Sequence, residues 1–358
     1  MSCSFGENIR ITVFGQSHSE SIGCVVDGVP AGEKIDREEL LAFMKRRAPG
    51  NNEFSTPRKE ADEPEIVSGI TDDVTCGAPV CAIIKNTNTK SQDYNKFKNI
   101  PRPGHADYTA FIKHSGFNDL RGGGNFSGRM TAPLCFAGGM LMQILKSKGV
   151  EIGAHIKSIS TCSDSEIDAV TGSMAELKAV EKKPFPVIND DSGKKMQSKI
   201  LEAKKDGDSV GGVIECVITG VPAGYGEPVF DGIENKIAAA VFGIPAVRGV
   251  EFGAGFKATE MLGSEHNDEY CLIDEKIKTK TNNHGGVIGG ITSGMPIIFR
   301  VAIKPTPSVA KAQKTLNIHT GEEEILNVGG RHDPCIVQRA VPVVQSVAAL
   351  AVADFLLK

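Results

Sequence analysis

An eight-residue pattern occurs twice in this chain, as VVDGVPAG at Val25–Gly32 and as VITGVPAG at Val217–Gly224. In each copy an apolar run ends at a glycine and a proline, which is typical of a strand that stops at a turn. Each copy also precedes a segment with an acidic start and helical periodicity, at Arg37–Arg47 and at Asp231–Phe242. The repetition predicts an internal duplication, so that each half of the chain builds a similar layer of the fold.

The duplication divides the chain into halves at about 1–150 and 210–358, which we expect to form a single domain over 1–358. Strands bounded by glycine and proline alternate with apolar helices, of which Thr131–Lys148 is apolar nearly all round and should be buried. The fold class that we expect is α+β, a β-α-β sandwich with helices layered between two largely antiparallel sheets. The charged segment 158–208 is expected to be a peripheral excursion.

Composition excludes several classes of protein. A net charge of -4 over 358 residues argues against general electrostatic binding to nucleic acid or to anionic membranes. Met1–Arg10 lacks the basic start and apolar run of a secretory signal, so we expect a cytoplasmic protein. Nine cysteines without a C-x-x-C pair predict neither disulfides nor structural zinc.

The segment Arg102–Pro133 reads RPGHADYTAFIKHSGFNDLRGGGNFSGRMTAP and combines three arginines, two histidines and a glycine triplet. Glycines allow a backbone to approach a ligand closely, and arginine offers a fork of donors that matches phosphate or carboxylate oxygens. The segment therefore predicts an anion site. Eight of the twelve arginines fall in such Gly- or Pro-rich segments, which favours a small polyanionic ligand.

Two other segments share this composition. The first is Asn282–Gly294 with the later Lys304–Ser308, and the second is Gly329–Cys335, which precedes Arg339. Each joins flexible glycines to cations and hydroxyls, as a phosphate group or a flavin ring requires.

Three short motifs suggest other chemistries. The G-x-G-x-x-A pattern that begins at Gly253 resembles a dinucleotide fingerprint, but Gly263 interrupts the helix that should follow. The turn Gly15–Ser19 resembles a nucleophile elbow, yet it lacks the second glycine and no helix begins there. His332 and Asp333 could ligate a metal, but no second ligand-rich cluster accompanies them, so we expect no metal.

A series of motifs follows in one order along nearly the whole chain: FGQSHSESIGCVVDGVPAG, RRAPG with TPRKEAD, RPGHADYT, RGGGNFSGRMTA, GDSVGG, GVPAGYGEPVFD, IPAVRGVEFGAGF, TNNHGGVIGGITSG and GRHDPC. Together these motifs resemble those of the chorismate synthase family.

The resemblance implies an enzyme, a carbon–oxygen lyase. Its reaction is a 1,4-anti-elimination of phosphate from 5-enolpyruvylshikimate 3-phosphate that gives chorismate, the last common step of the shikimate pathway to aromatic amino acids. It further implies reduced FMN as cofactor, with NADPH only an indirect source of reduction, and a homotetramer. A reduced flavin suits this reaction because the C–H bond that breaks is too weakly acidic for a side-chain base.

The resemblance also implies roles for individual residues. His105 would protonate the leaving phosphate, since a histidine can supply a proton near neutral pH. His18 would protonate or electrostatically hold the reduced flavin, and Asp333 with Ser17 would relay a proton at the flavin N5 edge. The substrate clamp would comprise Arg47, Arg58, Arg102, Arg129, Arg331 and Arg339. The flavin would be bound by Asn125, Phe126, Ser127, Ala246, Gly289, Lys304, Pro305, Thr306, Pro307, Ser308 and Arg331.

This chain departs from the family pattern in its first and third signatures. The usual GESHG is replaced by Gly15–Ser19, where Gln16 and Ser19 stand for a carboxylate and a glycine. Asn125 and Phe126 stand where the family has arginine and serine, which removes one cation and one hydroxyl from the flavin segment. Because Ser17, His18, His105 and Asp333 match the family, we expect activity to survive. Two alternatives stay open because these signatures are altered: a flavin-dependent oxidoreductase that consumes NADPH, and a non-catalytic binder of phosphorylated metabolites.

Overall fold

The computed structural model describes residues 3–50, 54, 62–87, 98–329 and 333–357. The helices are α1 (Arg37–Arg47), α2 (Asp107–Lys113), α3 (Thr131–Ser147), α4 (Met174–Val180), α5 (Asp190–Lys205), α6 (Ile233–Phe242), α7 (Gly263–His266) and α8 (Val337–Leu356). Short 3-10 segments cover Arg121–Phe126, Gly128–Met130 and Gly255–Glu260.

The strands before α3 are β1 (Ser4–Phe5), β2 (Arg10–Gly15), β3 (Ser21–Asp27), β4 (Pro64–Ser68), β5 (Ile70–Thr71), β6 (Val74–Thr75) and β7 (Val80–Lys85). Those after α3 are β8 (Glu151–Ile159), β9 (Cys162–Ser163), β10 (Gly212–Thr219), β11 (Val247–Phe252), β12 (Tyr270–Ile273), β13 (Lys276–Thr279), β14 (Val287–Ile288), β15 (Ile291–Thr292), β16 (Ile297–Ile303), β17 (Gln313–Leu316) and β18 (Glu323–Leu326).

Two five-stranded antiparallel sheets form the outer layers. Their strand orders are β1-β2-β3-β7-β4 and β11-β16-β10-β8-β9, and the remaining strands pair as short hairpins. Helices α3 and α8 pack against each other between the sheets, α3 against β3 and β7 and α8 against β8 and β10. The predicted α+β sandwich is therefore confirmed.

Each copy of the repeated octapeptide ends the central strand of one sheet. Gly28 follows β3 and Gly220 follows β10, and both have φ +82°. A Cβ atom on Gly28 would lie 1.9 Å from the carbonyl oxygen of Asn8, and one on Gly220 would lie 2.0 Å from that of Gly149. Only glycine can occupy such a turn, which explains why the two segments share a sequence. The division into halves remains a prediction, and the second sheet begins earlier than 210, at β8.

The helical layer depends on a close approach of two backbones. A Cβ atom on Gly138 of α3 would lie 2.3 Å from the Cα of Ser346 in α8, so glycine is what lets the two helices touch.

Helix α1 has the predicted bounds, and its N-cap Asp36 accepts a 3.0 Å hydrogen bond from the backbone N–H of Glu39. The backbone N–H of Asp36 also donates a 2.8 Å hydrogen bond to Oε1 of Gln143, which ties the beginning of α1 to α3.

The segment 158–208 contains β9, α4 and α5. Helix α5 buries Met196 and Ile200 and presents its lysines to solvent, as expected for an amphipathic helix at the periphery.

Helix α8 is long and apolar enough to match a membrane span, with a mean hydropathy of 1.5 over its best window. It is the one such helix in the described part of the chain. Because 83% of that window is buried inside the protein, α8 is a core helix of the sandwich.

Candidate active site

A cavity of about 550 Å³ opens at one end of the helical layer. Six separate segments form its walls: the end of α1 with the residues just after it, the loop before α2, the glycine-rich stretch before α3, the loop from Phe242 to Val247, the turn after β16, and the beginning of α8 with the residues just before it. Its volume is typical of a pocket for a cofactor or small ligand. The predicted site residues that line it are Arg47, Arg102, His105, Asn125, Phe126, Ser127, Arg129, Ala246, Lys304, Thr306, Pro307, Ser308, Asp333 and Arg339.

His105 is held from behind by a buried carboxylate. Its Nδ1 lies 2.6 Å from Oδ1 of Asp107, the first residue of α2, which is almost inaccessible to solvent. Burial alone would raise the pKa of Asp107, but hydrogen bonds from Arg102 and His105 outweigh it and lower the pKa well below its usual range. Asp107 is therefore a carboxylate, and a 2.6 Å contact with it requires a proton on Nδ1 of His105.

Arg102 is engaged by the same carboxylate. Its Nε and Nη2 each lie 2.8 Å from an oxygen of Asp107, and its Nη1 donates a 3.1 Å hydrogen bond to Oγ of Ser308. This bidentate pair is buried on both sides. Arg102 thus ties α2 to the turn after β16, and much of its donor capacity is used within the protein.

Arg47 and Arg129 meet at another buried carboxylate, that of Asp62. Each guanidinium donates to a different oxygen of Asp62, and all three side chains are nearly inaccessible to solvent. Burial would raise the pKa of Asp62, but the two arginines outweigh it and lower the pKa. Arg47 also donates to Oγ1 of Thr131 at 3.1 Å, and Arg129 to Oδ1 of Asn86 at 2.9 Å.

Ser17 and His18 lie directly beside the glycine triplet, in the loop between β2 and β3. A Cβ atom on Gly122 would lie 2.5 Å from both the Ser17 Oγ and the His18 Cδ2. Gly122, Gly123 and Gly124 all have positive φ, and a Cβ on Gly123 would lie 3.3 Å from Nε2 of His105. The triplet therefore passes close to both histidines, although Ser17 and His18 are not part of the cavity wall itself.

The hydroxyl of Ser17 is fully buried, and no described residue gives it a hydrogen-bond partner. The same is true of Oγ1 of Thr306, which belongs to the cavity wall. Buried polar atoms are nearly always satisfied in folded proteins, so hydroxyls of this kind point to a ligand with polar atoms at this site.

The unusual residues of the first signature stabilise the turn in which they lie. The Oγ of Ser19 accepts a 2.8 Å hydrogen bond from the backbone N–H of Gln16 and lies 2.6 Å from the carbonyl oxygen of Ser21. The amide of Asn86 donates to the carbonyl of Ser19 at 2.8 Å. Ser19 thus takes part in the hydrogen bonds of the turn that contains His18.

The beginning of α8 and the residues just before it contribute an ion pair. Arg339 donates from Nη1 to Oδ2 of Asp333 at 2.6 Å and from Nε to the carbonyl oxygen of Arg47 at 3.0 Å. Both side chains are mostly buried. Asp333 is thereby held at the cavity wall.

The turn after β16 supplies a lysine and two hydroxyls. Lys304 donates from Nζ to the carbonyl oxygen of Gly104, and its backbone N–H donates to the carbonyl of Ala246 at 3.0 Å. Burial, assisted by the charge of Arg248, lowers the pKa of Lys304.

Ala246 has φ +73°, an uncommon conformation for a residue with a side chain. Such strain is often found where a backbone must face a ligand.

Besides Ser17 and His18, two predicted site residues in the described part of the chain, Pro305 and Gly289, do not line the cavity. Pro305 adjoins lining residues, whereas Gly289 occupies the turn of the β14–β15 hairpin, where a Cβ atom would meet nothing within 4 Å. Arg58 and Arg331 lie outside the described residues. The roles predicted for all four remain predictions.

Asp62 and Asp107 are the two important residues that sequence reasoning missed. A signal was present, since Asp107 follows His105 by two residues and Asp62 ends the TPRKEAD motif. The apolar side of the cavity, formed by Phe242, Ile244 and Val343, was also not anticipated.

The electrostatic character of the site is cationic. Arg47, Arg102, Arg129, Lys304 and Arg339 line the cavity, and the carboxylates of Asp62, Asp107 and Asp333 pair with four of them. The excess of positive charge in a partly buried cleft attracts a polyanion. No group of three or more metal-ligating side chains occurs among the residues described.

Comparisons of this chain with family models, with known sequences and with solved structures all point to one family. Residues 9–357 match the family model described as chorismate synthase. The chain is 45% identical over 361 residues to a chorismate synthase of Korarchaeum cryptofilum, covering 99% of this chain and 97% of that protein. It is 47% identical over 354 residues to one of Chitinophaga pinensis, covering 99% of this chain and 96% of that protein.

Among solved structures, a crystal structure of chorismate synthase superposes with a TM-score of 0.78 at 27% identity and covers 98% of this chain and 92% of its own. On the full-length match of both sequence and fold, the chain belongs to the chorismate synthase family.

Proposed function

We propose that this protein catalyses the 1,4-anti-elimination of phosphate from 5-enolpyruvylshikimate 3-phosphate to give chorismate, as a lyase that uses reduced FMN. The observation that carries the proposal is the meeting of His105, the glycine triplet and five cations in one cavity of suitable volume. A phosphate and two carboxylates on one small substrate match this excess of positive charge.

The described residues fit a flavin mononucleotide. Glycine at 122 and 123 lets the backbone lie close to Ser17, His18 and His105 without a side chain, so that a flat ring could meet the backbone directly. The buried hydroxyls of Ser17 and Thr306 lack partners among the described residues and can bond to a polar ring or phosphate. When bound, reduced FMN would supply electron density to the substrate as phosphate departs.

The residues that would hold the flavin come from three segments. Asn125 to Ser127 lie in the glycine-rich stretch, Ala246 lies in the loop before β11, and Lys304 to Ser308 form the turn after β16. Gly289 and Arg331 complete the proposed set.

His105 is the proposed acid for the leaving phosphate. With Nδ1 bound to Asp107, the proton available to a ligand is the one on Nε2, which faces the glycine triplet beside the cavity. Donation from Nε2 to a phosphate oxygen would neutralise charge on the leaving group as its C–O bond breaks. Asp107 remains a carboxylate and stabilises the imidazolium before transfer.

His18, Ser17 and Asp333 are proposed to act on the flavin. His18 is nearly buried next to Gly122, where a cationic imidazole would stabilise a reduced, anionic ring. Ser17 and Asp333 would carry a proton at the ring edge, with Arg339 holding the Asp333 carboxylate in place.

The arginines are proposed to hold substrate through the field that they create and through hydrogen bonds to its phosphate and carboxylates. Arg47, Arg102 and Arg129 are each fixed by a buried carboxylate, so the substrate would meet a preorganised cationic wall rather than mobile side chains. Arg339, with Arg58 and Arg331, completes the proposed clamp.

We also propose a cytoplasmic homotetramer. The β12–β13 hairpin supports assembly, because Leu272 and Ile277 face each other across the strands and are 74% and 69% exposed. Tyr270, in the same hairpin, is 65% exposed. A second copy of the chain would remove such apolar side chains from water. Light scattering on the purified protein tests the assembly.

One assay separates the proposal from its alternatives. Purified protein is incubated anaerobically with chemically reduced FMN and 5-enolpyruvylshikimate 3-phosphate, and chorismate and phosphate are measured. We expect both products in equal amounts without net flavin oxidation. Flavin turnover with NADPH in the absence of the phosphorylated substrate would indicate an oxidoreductase, and ligand binding without either product would indicate a non-catalytic binder.

His105→Ala and His18→Ala test the assigned roles. We expect each to lower kcat by roughly 10²-fold or more, the range of a lost general acid or base. His319→Ala is the matched control, because His319 is exposed and does not line the cavity. Full turnover in either cavity variant would contradict that assignment.

A further inference from the structure

Strand β11, at the edge of the second sheet, contains a β-bulge. Val247 of β11 pairs with Ile303 of β16, and the next pair along the two strands joins Gly249 to Ala302. Arg248 is therefore the additional residue of the bulge, and it is exposed. Bulges at sheet edges commonly turn a side chain toward a site beside the strand. Because Val247 lines the cavity, the bulge places Arg248 at the cavity mouth.

The bulge brings Arg248 next to a second cation, Lys304. The backbone N–H of Lys304 donates to the carbonyl oxygen of Ala246 at 3.0 Å, so the turn after β16 begins beside the residues that enter β11. Burial lowers the pKa of Lys304, and the charge of Arg248 lowers it further, so each charge acts on the other. Two cations this close repel each other, and an anion bound between them would relieve the repulsion.

These two cations differ from the other cations of the cavity in having no carboxylate partner. The cations that do pair with a carboxylate are Arg47, Arg102, Arg129 and Arg339. In the part of the chain that the structure describes, neither Lys304 nor Arg248 forms an ion pair, and Nζ of Lys304 donates only to the carbonyl oxygen of Gly104. Uncompensated positive charge is therefore concentrated beside the turn after β16.

The same turn supplies two hydroxyl groups. Oγ1 of Thr306 is buried in the cavity wall and lacks a hydrogen-bond partner among the described residues. Oγ of Ser308 accepts a 3.1 Å hydrogen bond from Nη1 of Arg102, so its own hydrogen can still be donated to a ligand. Two cations and two hydroxyl donors around one turn match the oxygens of a phosphate monoester.

We infer that Arg248, Lys304, Thr306 and Ser308 form a phosphate subsite, which binds the phosphate of FMN and makes the cavity select FMN over riboflavin. Arg248 is the new member of the site, since it belongs neither to the cavity wall nor to the residues predicted from the sequence. The inference rests on the proposed flavin and adds the group of that flavin which these residues recognise. The proposed substrate also carries a phosphate, so the experiment must distinguish the two sources.

The experiment compares two flavins that differ only in the phosphate. The Kd values of FMN and riboflavin are measured by fluorescence titration of the purified full-length chain. Wild type is compared with Arg248→Gln and with Arg10→Gln, which removes the same charge from an exposed residue of β2 that does not line the cavity. We expect Arg248→Gln to raise the Kd of FMN by roughly tenfold, the effect of a lost charge-assisted hydrogen bond, and to leave that of riboflavin unchanged. Arg10→Gln should change neither Kd.

Two further measurements do not depend on the folding of Arg248→Gln. Thr306→Val keeps the shape of the side chain and removes the hydroxyl, so it should weaken the binding of FMN alone. In the wild type, added salt should raise the Kd of FMN and leave that of uncharged riboflavin nearly constant, because ions screen an exposed charge pair. If Arg248→Gln does not fold, these two results decide the question.

The substrate provides the second arm of the test. The Kd of 5-enolpyruvylshikimate 3-phosphate, measured by calorimetry, should be the same for wild type and Arg248→Gln. A loss of substrate affinity with unchanged FMN affinity would overturn the inference, since these residues would then bind the substrate phosphate.

The remaining outcomes separate this inference from the proposed function. Equal losses of FMN and riboflavin affinity in Arg248→Gln would overturn the inference, because they indicate general damage to the flavin site. Equal Kd values of FMN and riboflavin in the wild type would also overturn it and would leave the flavin-dependent lyase in place. Binding of neither flavin by the wild type would contradict the proposed function together with the phosphate subsite.

Discussion

Arg47 and Arg129 each donate a hydrogen bond to a different oxygen of one buried carboxylate, that of Asp62. The two arginines come from the end of α1 and from the segment just before α3, so Asp62 joins two walls of the cavity. Two buried cations this close would repel each other without it. The carboxylate therefore acts as the internal counter-ion that lets both arginines stay at an anion site.

Asp62→Asn should destabilise the free protein and strengthen its response to anions. Removing one partner of a buried ion pair costs about 3 kcal/mol or more in the free energy of unfolding. The additional positive charge should also make the rise in melting temperature on adding 5-enolpyruvylshikimate 3-phosphate larger than in the wild type. Thermal unfolding with and without substrate checks both effects. Asp73→Asn is the control, and it should cost at most about 1 kcal/mol because its pair is exposed. Equal stability of the two variants would contradict the counter-ion role.

Gly122→Ala should abolish flavin binding and activity. The added Cβ would lie 2.5 Å from the Ser17 Oγ and from the His18 ring, at a residue with φ +62°. Gly128→Ala is a matched change in the same stretch, since a Cβ there meets nothing within 4 Å. FMN titration and turnover of the two variants test the prediction. A Gly122→Ala protein that binds FMN as well as Gly128→Ala would show that the close approach of the triplet is not required.

Asn125→Arg should raise the affinity for FMN. Asn125 is exposed at the cavity wall, so a longer cationic side chain has room to reach a bound anion. A charge-assisted hydrogen bond contributes about 1.5 kcal/mol or more, which corresponds to roughly a tenfold lower Kd. Asn99→Arg adds the same charge at an exposed residue that does not line the cavity. Titration calorimetry should show tighter binding for Asn125→Arg alone, and equal Kd values for both variants would reject the idea.

His155 should make stability depend on pH. It is fully buried in the second sheet, with Nδ1 at 3.0 Å from Asp164 and Nε2 at 3.1 Å from Glu215. Burial alone would lower the pKa of His155, but the hydrogen bonds to both carboxylates outweigh it and raise the pKa above its ordinary 6.5. The folded state thus holds this proton more tightly than the unfolded state.

A raised pKa gives a stabilising contribution that is complete below about pH 6.5 and declines as the pH rises through the folded-state value. We therefore expect the difference in unfolding free energy between wild type and His155→Gln to be largest near pH 6 and to shrink toward alkaline pH. Urea unfolding at several pH values measures it. His319→Gln, at an exposed position, should show no such trend. A difference that stays constant from pH 6 to pH 9 would rule out the buried imidazolium.

The sequence predicted features that depend on local chemistry. The bounds of α1 follow from the N-cap Asp36 and from the Pro49–Gly50 stop, which act within a few residues of the helix. The burial of α3 follows from apolar residues on all its faces. The glycines of the octapeptide and of the triplet predicted backbone turns, and every one of them has a positive φ in the structure.

The partners of the cationic residues could not be read from the sequence. Arg129 pairs with a carboxylate 67 residues earlier in the chain, and a pairing at that separation depends on how the sheets and helices pack. An arginine in a glycine-rich loop gives the same sequence signal whether it is available to substrate or bound to a buried aspartate. The tertiary structure also shows that Gly289 lies in a hairpin turn that does not line the cavity, a position that the sequence did not indicate.

By itself, the sequence determined the fold class, the family motifs and the types of residue that gather at the site, because periodicity, turn chemistry and motif composition are properties of neighbouring residues. Only the tertiary structure decided which charges neutralise each other, where His105 carries its proton and which hydroxyls stay without partners. Those properties depend on distances of about 3 Å between segments far apart in the chain, and on the exclusion of water that packing alone creates.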